Sequence, residues 1–201
     1  MSQQLFKDDV EFLQRLLKSS GFNPGKIDGD WGPKTDKAED EFITKSREIS
    51  TKFGKFHQRS EGNILTLHPK AQESARKFLK LLQDAKINAR IISGTRTYAE
   101  QDALYAKGRT KPGPIVTNAE GGESNHNFGI AWDIGIFTSD GGYLSNSPLY
   151  EKAAKIVLGL LPELEWGGNW LTFKDEPHYQ LKMGLSIPEV RRRFEKGESY
   201  I

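Results

Sequence analysis

Ser124-Asn125-His126-Asn127-Phe128-Gly129-Ile130-Ala131-Trp132-Asp133-Ile134-Gly135-Ile136 is the stretch on which the fold turns. From Ile130 onward apolar residues alternate, the period-2 signature of a half-buried strand. Ile130, Trp132, Ile134 and Ile136 fall on one face, and Ala131, Asp133 and Gly135 on the other. Asp133 is therefore an acid flanked on its own face by two of the smallest side chains. That leaves room beside its carboxylate for a metal or a substrate. His126 enters the strand through a turn containing Gly129.

Working outward, Ile87 to Ile92 is apolar and partly alternating, which predicts a second strand, ended by Ser93-Gly94-Thr95-Arg96. Thr97-Tyr98-Ala99-Glu100 is a capping box opening a helix through Ala103, Leu104 and Tyr105. Earlier, Pro69 opens a helix whose inward stripe is Ala71, Ala75, Phe78, Leu79 and Leu82, with His68 as a near-cap residue. Residues 107–122 form a Gly- and Pro-rich loop, long enough to be functional or disordered. Downstream, Ser147-Pro148 starts a helix with Leu149, Ala153, Ile156, Val157 and Leu160 inward. Phe173 to Gln180 follows, where Pro177 permits only a strand start, an edge or a bulge. A last helix over Ile187 to Phe194 ends at Gly197, with Arg191 to Arg193 on its solvated face.

The N-terminal part reads differently. Val10, Leu13, Leu16 and Leu17 recur at helical spacing. Gly21 to Thr35 is dense in turn formers around Asp28-Gly29, and Pro33 suits the first position of a second helix carrying Ala38, Phe42 and Ile49. Asp28 and Asp30 invite a calcium reading, but the sixth loop position, where glycine is required, is Pro33. Residues 51–66 are polar and irregular and read as a linker, with His57 as a solvated loop residue. The predicted division is a helical module over 1–50, this linker, and a second domain over 67–201.

Composition narrows the chemistry. The chain has 201 residues, enough for one domain plus a small module. It has no cysteine, which excludes a disulfide scaffold, Cys-ligated zinc and a thiol nucleophile. A formal charge of +2 makes nucleic acid a poor partner. No apolar run approaches the ~20 residues of a membrane span, so no membrane insertion is expected. Met1 to Asp9 shows neither a basic nor an apolar leader region, so no Sec-type signal peptide is expected.

Only four histidines exist, and two keep unusual company. His126 precedes Asp133, and His178 lies beside Asp175, Glu176 and Tyr179. Two histidines and one carboxylate are a standard ligand set for catalytic zinc, with the fourth position left for water. The helical HExxH motif is absent, so such a site would be built on a sheet.

Ser-x-His-x-x-Gly-x-Ala-x-Asp over Ser124 to Asp133, followed by Asp-x-Pro-His over Asp175 to His178, resembles the zinc peptidase family of D-Ala-D-Ala carboxypeptidases and L-alanyl-D-glutamate endopeptidases. The likeness runs over about residues 59–181. It includes Arg59 to Ile64, Ser93 to Gln101 and Trp166-Gly167-Gly168, and points to the endopeptidase branch found in phage endolysins. One departure is Asn169, where Asp is expected. The resemblance implies an α+β fold: a small antiparallel sheet with flanking helices carrying a zinc site, preceded by a small all-α module. It implies one zinc per chain on His126, Asp133 and His178. Asp175 is the implied general base, with Glu176 as the alternative, and Arg96 the implied oxyanion stabiliser. Tyr98, Gln101 and Ser124 are implied substrate contacts.

Residues 8–48 resemble the three-helix peptidoglycan-binding module of cell-wall hydrolases, without its frequent second Asp-Gly-x-x-Gly-x-x-Thr segment. The expected activity is cleavage of the L-Ala–D-Glu bond of peptidoglycan stems by a monomer. It would be made in the host cytoplasm and released to the wall, through a holin if phage-encoded. Alternatives are removal of terminal D-Ala, or wall binding without turnover.

Overall fold

The computed structural model describes residues 7–201; Met1 to Phe6, part of the segment read for a leader, lie outside the described residues. In chain order the elements are α1 (Lys7–Ser19), α2 (Pro33–Phe53), α3 (Gln58–Leu65), α4 (Pro69–Asp84), β1 (Ala89–Ser93) and α5 (Tyr98–Tyr105). A 3-10 turn (Asn125–Phe128) leads to β2 (Ala131–Phe137) and β3 (Tyr143–Leu144). Then come α6 (Leu149–Leu160), β4 (Leu164–Trp166), a second 3-10 turn (Gly167–Asn169), β5 (His178–Leu181) and α7 (Ile187–Lys196). No described helix is long and apolar enough to cross a membrane. The chain forms two compact units.

One unit comprises Ser46–Thr95 and Gly129–Met183 and contains the sheet. Its strand order is β1-β2-β5-β4, antiparallel throughout, with β3 paired to the end of β2. Trp132 pairs with Tyr179, and both are fully buried. The Phe78 ring of α4 packs edge-on to both, 6.0 Å from Trp132 and 4.6 Å from Tyr179. Because side chains alternate along a strand, the residues beside these two emerge on the opposite face. Asp133 pairs with His178, and Gln180 pairs with Glu165, so four polar side chains share that face.

Part of the expected linker is helical. Residues 58–65 form α3, capped by the His57 Nδ1, which accepts the Arg59 N–H. The polar composition misleads because these side chains make long-range bonds. Ser60 Oγ accepts the Ile91 N–H at 3.0 Å, Asn63 donates to the Ile91 carbonyl, and Glu61 takes a bidentate pair from the buried Arg76.

His68 is the N-cap of α4, as expected, its Nδ1 accepting the Lys70 N–H at 3.2 Å. Burial, helped by the Lys70 charge, pulls its pKa from 6.5 to about 4. The unfolded chain thus gains this proton at a higher pH than the folded one. Stability is full above pH 6.5 and falls by about 3 kcal/mol as pH drops towards 4. His68→Asn keeps a capping acceptor that does not titrate, so its denaturation midpoint should lack this component. A wild-type-minus-variant difference independent of pH would count against the assignment.

The other unit comprises the described residues up to Lys45, Arg96–Phe128 and Gly184–Ile201. Leu17, Ala38 and Phe42 form its small helical core, joined by Leu13 and Phe22. The Gly21–Thr35 turn is organised by the buried Gln14. Its Oε1 accepts the Asp28 and Gly29 N–H groups, and its Nε2 donates to the Asp30 carbonyl. Gly29 has φ +72°, and a Cβ there would lie 2.6 Å from the Lys7 carbonyl oxygen, so only glycine fits. The other side of α1 packs on the C-terminal helix: Phe12 stacks 5.3 Å from Phe194 and 6.0 Å from Tyr98.

Candidate active site

In the sheet-bearing unit, Asp133 Oδ1 lies 3.2 Å from His178 Nδ1, and His178 is buried. The opposite ring nitrogen, Nε2, lies 3.0 Å from Gln180 Oε1. Trp170 packs against the imidazole with ring centroids 4.9 Å apart. Burial is the largest single influence on His178 and opposes charging it. The hydrogen bond and charge of Asp133, the Gln180 hydrogen bond and the Asp175 charge together outweigh it and hold the pKa above 6.5.

The segment before β5 is bolted in place by its backbone. Asp175 N–H donates to the Gly167 carbonyl, His178 N–H to the Asp175 carbonyl, and Ile134 N–H to the Pro177 carbonyl. Trp166 Nε1 donates to the Glu176 carbonyl at 2.7 Å. Gly167 is required for this close packing, since a Cβ there would meet the Asp175 carbonyl oxygen at 2.6 Å. The two neighbouring acids act on different surroundings. Asp175 is half-buried and its charge is felt by His178. Glu176 is exposed, and its charge is felt by Tyr150 and Tyr179, whose burial does most to raise their pKa values. Asn169, the departure from the expected Asp, is exposed in the 3-10 turn after Trp166.

In the other unit, His126 is buried in its 3-10 turn and Arg96 reaches it: Arg96 Nη2 lies 3.1 Å from His126 Nε2. The turn is pinned by Asn127, which is fully buried. Asn127 Oδ1 accepts the Gly122 and Ser124 N–H groups, and its Nδ2 donates to the Arg96 and Thr97 carbonyls. The buried Tyr200 hydroxyl donates to the Phe128 carbonyl at 2.6 Å. Sequence reading passed over Asn127 and Tyr200. Asn127 lies inside the motif, but the carbonyls of Arg96 and Thr97 that it holds are 31 and 30 residues away, and Tyr200 is 72 residues from Phe128.

The three residues expected to touch substrate have other engagements. Gln101 is fully buried, accepting from Arg96 Nη1 at 2.9 Å and donating to Thr117 Oγ1 and the Ala119 carbonyl. Its amide oxygen holds Arg96, and its NH2 ties the loop at Thr117 and Ala119. Tyr98 packs on Phe12 and Phe194 with its hydroxyl directed to Glu195, so its ring belongs to the helical packing. Ser124 Oγ accepts the His126 N–H at 3.4 Å and shapes the turn.

One ligand atom from each of His126, Asp133 and His178 can be chosen so that all three lie within 4.8 Å of one another. The donor chemistry fits a zinc ion. A carboxylate and two imidazoles are the three-ligand type of catalytic zinc sites. Asp133 Oδ1 and His178 Nδ1 can approach to 3.2 Å only with a proton or a cation between their lone pairs. Both histidines are buried.

A family model described as D-alanyl-D-alanine carboxypeptidase matches residues 64–159, and one described as a peptidoglycan binding domain matches residues 7–38. The chain is 38% identical over 122 residues to the peptidoglycan L-alanyl-D-glutamate endopeptidase CwlK of Bacillus subtilis (strain 168), covering 57% of this chain and 73% of the relative. It is also similar to the crystal structure of the Serratia marcescens L-Ala D-Glu endopeptidase ChiX, at 26% identity and a TM-score of 0.48, covering 63% of this chain and 89% of that one. With a relative of that identity and coverage, the chain belongs to the family of D-Ala-D-Ala carboxypeptidases and peptidoglycan L-alanyl-D-glutamate endopeptidases.

Proposed function

We propose that the protein is a zinc-dependent endopeptidase that hydrolyses the L-Ala–D-Glu bond of peptidoglycan stem peptides. The observation that carries this reading is the convergence of His126, Asp133 and His178 in a chain 38% identical to an endopeptidase of that specificity. Held by these three residues, a zinc ion would supply Lewis acidity to the hydrolysis. Asp175 takes the proton of the attacking water and returns it to the leaving amine of D-Glu. Arg96 donates to the carbonyl oxygen as it gains charge, in an orientation held by Gln101. His178 is fixed for ligation by its contacts with Gln180 and Trp170.

The family model matching residues 64–159 favours a second reading, removal of terminal D-Ala. Mass analysis of digested muropeptides separates the two. Endopeptidase action leaves L-Ala on muramic acid and releases a peptide starting with D-Glu. Carboxypeptidase action shortens stems by one D-Ala and releases nothing else. An unchanged digest would refute both readings and leave wall binding without turnover.

Residues 1–50 are proposed to anchor the enzyme, as a monomer, to the wall that an endolysin-like role has it dissolve. Trp31, 38% exposed on the Gly21–Thr35 turn, offers an aromatic face to the polymer. Deleting the whole segment would strip Phe12 from Phe194 and Tyr98, so a point variant is the cleaner test. Trp31→Ala should pellet several-fold less with purified walls while cleaving soluble muropeptides at the wild-type rate. Equal pelleting would leave the module a packing element only.

A further inference from the structure

We propose that Glu165 and Gln180 form a positioning pair that fixes the tautomer of His178, so that its Nδ1 lone pair is presented towards Asp133 for metal binding. This rests on the proposed zinc site and gives Glu165 and Gln180 a defined role behind it.

The argument is one of polarity along a row of side chains on a single sheet face. Glu165 and Gln180 are register partners on β4 and β5, and Gln180 and His178 are two apart on β5. All three therefore project to the same side. Gln180 Nε2 donates to Glu165 Oε2 at 3.2 Å. Trp170 Nε1, which can only donate, reaches the other carboxylate oxygen, Oε1, at 2.9 Å. An ionised carboxylate only accepts, so the Gln180 amide must turn its NH2 to Glu165. Its oxygen is thereby turned to His178, and Oε1 is found 3.0 Å from His178 Nε2. An amide oxygen only accepts, so His178 Nε2 must carry hydrogen. The other ring nitrogen, Nδ1, 3.2 Å from Asp133 Oδ1, is then the one left to hold a cation between the two. Each step follows from the last, and Trp170 and Glu165 set the direction of the whole row. The aromatic contact of Trp170 with the imidazole holds the ring plane from a second side. Partners behind metal-binding histidines commonly contribute 10–100-fold in metal affinity.

The test is zinc affinity, measured by chelator competition on the full chain, with nitrogen chemical shifts of the His178 ring read in the zinc-loaded protein. In the zinc-loaded wild type the ring hydrogen should reside on Nε2, with Nδ1 carrying the metal. Residence on Nδ1 would overturn the proposal whatever the variants do. Gln180→Leu removes the acceptor at similar size and should weaken zinc binding about 10–100-fold. Glu165→Gln must turn its oxygen to the Trp170 N–H and its NH2 to Gln180, so the 180 amide reverses, presents its own NH2 to His178 Nε2, and zinc binding should weaken as it does in Gln180→Leu. The swap of Glu165→Gln with Gln180→Glu restores a consistent row: the new amide at 165 donates to the new carboxylate at 180, which accepts from Nε2. It should regain affinity over either single change, which simple packing would not produce. Wild-type affinity in Gln180→Leu, or a swap worse than both single variants, would overturn the pair. A wild type that binds no zinc at all would instead overturn the metal-site reading.

Discussion

Asp175→Asn is expected to bind zinc and cell walls as the wild type does and to cleave stem peptides about 10²–10⁴ times more slowly, the usual worth of a positioned general base. The variant keeps the shape of the side chain and removes only its basicity. The backbone bonds of this turn run through the Asp175 N–H and carbonyl, which the substitution leaves untouched. Glu176→Gln is the control and should stay near wild type, because Glu176 is exposed and its charge acts on Tyr150 and Tyr179, whereas His178 feels Asp175. The measurement is single-turnover cleavage of a purified muropeptide alongside zinc content. An active Asp175→Asn with a dead Glu176→Gln would move the base by one residue. Full activity in both would reject the mechanism. Arg96→Ala should lose on the order of 10²–10³, as a charge partner of the transition state disappears. Part of that loss would come through His126, which Arg96 contacts directly.

His126→Ala is expected to lose zinc and activity together, by more than the ~100-fold typical of a partner behind the ligands. Two donors remain in Asp133 and His178, 3.2 Å apart, and a carboxylate and one imidazole cannot complete a three-ligand site. The fold should survive, since the turn is pinned by Asn127 and Tyr200 rather than by the imidazole. Metal analysis showing full zinc occupancy in the folded variant would remove His126 from the ligand set.

Much of the candidate site was legible in one dimension because it depends on local periodicity. Alternation from Ile130 puts Asp133 on the face opposite Trp132, and the structure pairs Trp132 with Tyr179 and Asp133 with His178 in one register. The Thr97–Glu100 capping box forms as read, with both of its reciprocal bonds. Pro33, Pro69 and Gly197 mark helix ends where proline and glycine chemistry requires them.

Only the tertiary structure decided what the polar residues do. Residues 58–65 look like linker by composition and form α3, because Ser60, Glu61 and Asn63 bond to β1 and α4. Gln101 stands at the end of the Ser93–Gln101 stretch, and its buried amide bonds Arg96 and the loop at Thr117 and Ala119, partners that its position in the chain does not disclose. The Glu165, Gln180 and His178 row has no sequence signature, since it arises from pairing strands whose order, β1-β2-β5-β4, is not the chain order. A strand's period is a property of neighbouring residues and can be read from them. The partner of a buried amide is set by which distant segment packs beside it, and that is known only once the chain has folded.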